Sequence, residues 1–231
     1  MNEGFDEKIA NEVHYGKFRK KGANAIAMRG MYIALVIGSG YALFMIPWIE
    51  FVSVLVYSAG YIFGRRDGAA VGMLSMGIYA FFNPIGASPI PLYATQVAGM
   101  GIIGFAGGCM SMTKAPFIRR NIREWTMVTG VGLTALYDIL TNLMITVVGV
   151  IPLELVFLSG MPVMVLHMAT NAYLFAIIPF IVRKIAGQEA GAEKIELKGE
   201  ELKADEMEEL EEIGKGNNRS DTIKGDRDDA L

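Results

Sequence analysis

The chain has 231 residues, of which 52% are hydrophobic and 19% charged, with a formal net charge of -3 and a mean hydropathy of +0.37. The charge is unevenly spread: residues 25–185 hold long apolar runs, and the two ends hold most of the charge. That distribution excludes a soluble globule and predicts an integral membrane protein with polar tails. The single cysteine, Cys109, excludes an intrachain disulfide, and no Cys/His cluster suggests a metal site, so no cofactor is expected.

Residues 1–24 form a polar N-terminal segment carrying Lys8, Lys17, Arg19, Lys20 and Lys21. The first apolar run, about 25–46, has no short apolar stretch followed by a small-residue cleavage site. It reads as a retained helix that stops at Pro47. Further helices are predicted over about 48–63, 69–82, 92–112, 125–150 and 161–185. Gly64-Arg-Arg-Asp-Gly68 reads as a turn, and 83–91 holds too many prolines for a helix interior and reads as a loop. Residues 114–124 form a basic connector; 151–160 form a short, mostly apolar one carrying Glu154. From Ala186 onward, 15 acidic residues face 7 basic ones, which predicts a disordered acidic tail over 186–231.

The expected fold is all-α, a membrane bundle of six transmembrane helices over 25–185. Every Lys and Arg falls in the N-terminal segment or the start of the first helix, the 64–68 turn, the 114–124 connector, the end of the last helix or the tail. With six spans all of these share one side, so both termini are expected in the cytoplasm and the chain in the cell membrane. The second and third helices are short for a span of ~20 residues. Fusing them would put the basic connector opposite the basic N-terminus, so the charge pattern favours six spans.

Asp138 lies within the fifth apolar run, where a carboxylate should face protein or water rather than lipid. Asn142 is four residues on, hence on the same helix face, with Thr134 and Thr141 close to the same stripe. His167 and Asn171 repeat the spacing on the last helix. Asp138 is 13 residues past Trp125, ~20 Å from the cytoplasmic start of its helix. Glu50, Asn83, Tyr93 and Gln96 also fall in the outer half. Eight polar side chains therefore gather there, above an apolar, glycine-rich inner half. This is the layout of a cup opening outward, not of a continuous polar pore. Each residue has a plainer reading. Asp138 would serve as a buried structural acceptor, Asn142 and Asn171 as glue between helices, Glu50 as an interfacial charge, and Tyr93 and Trp48 as part of an aromatic belt. Asp138 and His167 lie at compatible depth and are expected to meet directly or through one water or ligand.

Small residues recur at four-residue spacing in Gly60/Gly64, Gly68/Gly72 and Gly104/Gly108, which are expected to pack helices within the monomer. Ala34, Gly38 and Ala42 repeat the spacing on the first helix, a strip expected to face outward.

Taken together, the chain resembles the substrate-binding S components of energy-coupling factor (ECF) vitamin transporters over about residues 25–185. The resemblance rests on Glu50-Phe-Val-Ser-Val-Leu-Val with Gly60-Tyr-Ile-Phe-Gly64, on Gly68-Ala-Ala-Val-Gly72, on Thr134-Ala-Leu-Tyr-Asp138 with Asn142, and on His167 with Asn171-Ala172. Ala34, Gly38 and Ala42 are similar to the family's AxxxA coupling motif, with Gly at the middle position. The resemblance implies a subunit that binds a vitamin-like small molecule from outside, while a separate T component and two ATPases drive uptake. The absence of a G-x-x-x-x-G-K-[ST] loop fits that dependent, non-enzymatic role. The acidic tail is not a usual family feature.

Two other classes are weighed. A rhomboid-like protease needs a membrane Ser in G-x-S-x and a partner His; Gly38-Ser-Gly40 lacks that spacing. A self-sufficient secondary transporter or channel is the alternative function, and it requires a polar route through the inner half. Nucleic-acid binding is excluded by the basic residues, which match membrane topology, with lipid as the surrounding partner.

Overall fold

The computed structural model describes residues 22–46, 51–182 and 184. All but 184 belong to one compact unit. The polar N-terminal segment up to 21, the acidic tail, Trp48 and Glu50 lie outside the described residues.

Seven helices occur among the described residues, with no strand: α1 (Ala23–Ala42), α2 (Phe51–Phe63), α3 (Arg65–Phe81), α4 (Ile90–Ser111), α5 (Pro116–Arg120), α6 (Ile122–Gly149) and α7 (Leu153–Val182). Four of them, α1, α4, α6 and α7, are long and apolar enough to cross a membrane, and α2 is a shorter apolar helix of 13 residues. This is the fold of a multi-pass membrane protein.

The boundaries correct three expectations. The reversal read over 64–68 is confined to Gly64, whose φ of 95° suits a residue without a β-carbon. Arg65, Arg66 and Asp67 are already the first turn of α3, where the Asp67 carboxylate complements the helix dipole. The connector read over 151–160 shrinks to three residues. Val150 turns the chain in a left-handed conformation (φ 50°), and the Pro152 carbonyl accepts the first helical bonds from Leu155 and Val156. The apolar stretch after Pro152 therefore simply extends α7 to 30 residues. At the other end of the chain, α1 stops at Ala42, and 43–46 unwinds as a turn.

Sequential long helices run antiparallel. Gly60 of α2 lies against Gly68 of α3, and Val56 against Gly72, so these helices fold back on each other about Gly64. Going from α3 to α4, Gly68 meets Gly104, Gly72 meets Met100 and Gly77 meets Tyr93. Tyr137 of α6 packs its ring on Gly99 of α4. A β-carbon on Gly60 would overlap the Gly104 carbonyl, and one on Gly68 would overlap the Gly60 backbone. The three glycine pairs of α2, α3 and α4 are thus consumed inside the monomer, as expected. Between membrane helices close packing replaces the hydrophobic driving force, and backbone-to-backbone approach maximises it.

On the other side of this junction, α1 is fixed at both ends. Arg29 Nη2 donates to Asp67 Oδ2 at 2.7 Å, the Tyr32 ring packs edge-on against Phe63, and the Tyr41 hydroxyl donates to the Phe82 carbonyl at 3.1 Å. The Tyr32 and Ser58 hydroxyls share a further short hydrogen bond.

Candidate functional site

The polar residues of α6 and α7 form a ladder. Each step of four residues along α6 is matched by a step of four along α7, the spacing that keeps one face of each helix on the seam. On the first rung His167 Nδ1 donates to Asp138, 3.0 Å from Oδ2 and 3.2 Å from Oδ1. The side chains are 7% and 14% exposed respectively. On the second rung Asn171 Nδ2 donates to Thr134 Oγ1 at 2.9 Å, and both residues are fully buried. On the third the Phe175 ring covers Gly130, where any β-carbon would overlap it. Phe175 also packs edge-on against Tyr57 of α2, ring centroids 5.0 Å apart. The Tyr57 hydroxyl donates to Thr129 Oγ1 at 3.2 Å, and Thr129 passes its own proton to the Trp125 carbonyl. The ladder therefore runs from a carboxylate–imidazole rung through an amide–hydroxyl rung to an aromatic plug.

Asn142 stands one turn beyond the Asp138–His167 rung, facing Gly160 of α7. A β-carbon there would lie 3.3 Å from Oδ1 and 3.4 Å from Nδ2. Its carboxamide makes no hydrogen bond among the described residues, although its backbone carbonyl accepts from Thr146. Asn142 thus holds unused donors and an acceptor beside the Asp138–His167 pair.

The remaining predicted residues take local partners at the α3–α4 connection. Asn83 Oδ1 accepts the Ile85 N–H at 2.9 Å, an Asx-type turn that shapes the proline-rich loop. Gln96 Oε1 accepts from Ser88 Oγ at 2.9 Å, tying that loop to α4. The Tyr93 hydroxyl lies over Gly77 of α3. Asn83 and Gln96 are thus engaged by the loop and Tyr93 by α3, not by the α6–α7 seam. Sequence reasoning missed Ser88, Gly160 and Tyr57; only Ser88 carries a visible signal, eight residues ahead of Gln96 across a proline pair.

A small crevice between α4 and α6 is lined by Gly99, Ile102, Ile103, Leu133, Leu136, Tyr137 and Leu140. Its volume of about 10 Å³ is water-sized, its walls are apolar, and no predicted site residue lines it.

On α1, Ala34, Gly38 and Ala42 are exposed, and a β-carbon on Gly38 would meet nothing within 4 Å. Gly30 extends the strip by one turn with the same open surroundings. Larger exposed neighbours, Met31 and Leu35, flank it. The strip is therefore unused within the described unit, as expected.

No family model, curated protein or solved structure matches the chain.

Proposed function

We propose that the chain is the membrane-embedded substrate-binding subunit of an ECF-type transporter, which captures a vitamin or related micronutrient from outside for ATP-driven uptake by partner subunits. In this reading six helices span the cell membrane with both termini in the cytoplasm. The observation that carries it is the α6–α7 ladder. Its polar groups begin at the Asn142 carboxamide, which makes no hydrogen bond among the described residues, pass through the Asp138–His167 pair and end at the Tyr57–Phe175 plug. Below the plug the glycine junction of α2, α3 and α4 leaves no room between backbones. A site that is polar at one end and closed at the other binds and holds a solute, and it needs a partner to release it on the far side. Such a subunit depends on a T component and two ATPases, and the exposed strip on α1 is a surface against which a T-component helix can lie closely.

The test is purification in mild detergent followed by mass spectrometry of the retained small molecule. Asn142→Ala should abolish retention while the protein stays folded, and uptake into vesicles should require the T component and both ATPases. Uptake by this chain alone, driven by an ion gradient, would overturn the reading.

A further inference from the structure

Most hydroxyl side chains in the bundle are satisfied by their own helix. Ser39, Ser58, Ser111, Thr126, Thr129, Thr141, Thr146, Ser159 and Thr170 each donate to a carbonyl three or four residues back. Ser53 of α2 and Ser75 of α3 are exceptions. Both are buried, at 1% and 0% exposure, and neither hydroxyl has a hydrogen-bond partner among the described residues. Asn171 Oδ1 is a third buried oxygen without a partner; its Nδ2 is committed to Thr134, which fixes the direction of Oδ1.

The packing brings these three residues to one level. Gly60 against Gly68 and Val56 against Gly72 set the α2–α3 register, and one further turn in that register puts Ser53 and Ser75 at one depth. Tyr57 against Phe175 sets α2 beside α7, and one turn back along both helices brings Ser53 level with Asn171. Leaving even one buried polar group unsatisfied is costly, and native proteins rarely do so.

We propose that Ser53, Ser75 and Asn171 enclose a buried binding site for a small neutral molecule or group that both donates and accepts hydrogen bonds. Asn171 Oδ1 can only accept, so the occupant must present an O–H or N–H to it; the serine hydroxyls take either role. An ionised carboxylate is excluded because it has no proton for Asn171, and a phosphate because no cation lies among these three residues to offset its charge. Water meets the requirement, and so does a hydroxyl, amide or ring N–H of a bound solute. The site stands whether or not the transport reading does.

Full-length protein in detergent decides the matter through its thermal midpoint. Ser53→Ala removes one atom and should lower the midpoint by about 3 °C, because the occupant loses a partner. Ser53→Cys, which keeps the volume but hydrogen-bonds weakly, should fall in the same way. Ser75→Ala should also fall, and the double variant should fall by less than the sum, since both hydroxyls serve one occupant. Ser111→Ala, whose hydroxyl is satisfied by its own helix, is the control. A midpoint that is unchanged or raised by Ser53→Ala overturns the site, since deleting an uncompensated hydroxyl relieves a cost. Full recovery in Ser53→Cys also overturns it, since volume alone then accounts for the loss. Protein washed until mass spectrometry detects no small molecule separates the sources: a loss that persists there identifies water, and a loss seen only before washing identifies a solute group.

Discussion

His167 and Asp138 meet across the α6–α7 seam with Nδ1 3.0 Å and 3.2 Å from the two carboxylate oxygens, at the head of a register that continues through Asn171–Thr134 to Phe175–Gly130. The pair is mostly buried, so removing one partner strands the other. Asp138→Ala and His167→Ala should each cost ~3 kcal/mol or more of stability if both groups are charged. The double variant should cost clearly less than the sum. A double-mutant cycle by chemical denaturation measures the coupling, and strictly additive losses would count against a direct interaction.

The second rung separates folding from binding. Thr134→Val removes the acceptor of Asn171 Nδ2 and leaves a buried amide without it, at a cost of about 1–3 kcal/mol; Thr134→Ser keeps the hydroxyl and should cost much less. The Asn142 carboxamide makes no hydrogen bond among the described residues, so Asn142→Ala should stay within about 0.5 kcal/mol of the parent while losing the retained solute. Equal destabilisation by Asn142→Ala and Thr134→Val would show that Asn142 is structural.

Glycines of the same spacing should respond in opposite ways. Gly60→Ala forces a β-carbon into the Gly104 carbonyl, and α2 must shift away from α4. That variant should aggregate or be recovered in low yield. Gly38→Ala meets nothing and should be silent. Gly38→Trp should leave folding and solute binding nearly intact while abolishing uptake by the full complex, because its bulk fills the strip. Size-exclusion profiles of the three variants, with an uptake assay for the last, decide this. Loss of folding in Gly38→Trp would mean that the strip packs the monomer.

Arg29 and Asp67 join α1 to the first turn of α3 at 2.7 Å, with side chains 27% and 34% exposed. At that exposure Arg29→Gln or Asp67→Asn should cost about 1 kcal/mol or less, and the effect should shrink in high salt, which screens part of the attraction. The charge-swapped double variant should recover part of the loss. No recovery, measured by thermal unfolding at low and high salt, would show that Arg29 acts through packing of its stem.

Much of this protein was legible in its sequence because lipid constrains composition directly. Apolar runs of sufficient length locate the long helices, and a carboxylate, an imidazole and two carboxamides at i,i+4 spacing inside such runs must face protein or water rather than lipid. Asp138, Asn142, His167 and Asn171 therefore identify themselves, and their spacing already implies one face on each helix. The end of α1 and the start of α7 were less legible. Helix-forming residues continue through 153–160, and only the left-handed turn at Val150 with Pro152 behind it decides where the chain restarts.

Partnership belongs to the tertiary structure alone. The sequence assembled eight polar residues into one cup, but it carries no information about the offset between helices. The offset is set where glycines let backbones touch and where the Phe175 ring seats on Gly130. That choice gives Asp138 to His167 and Thr134 to Asn171, leaves the Asn142 carboxamide without a hydrogen bond among the described residues, and commits Asn83 and Gln96 to the α3–α4 loop. The same offset brings Ser53 and Ser75, inconspicuous in the sequence, to the level of Asn171. A four-residue period tells which residues share a face; only packing between faces decides which residues meet.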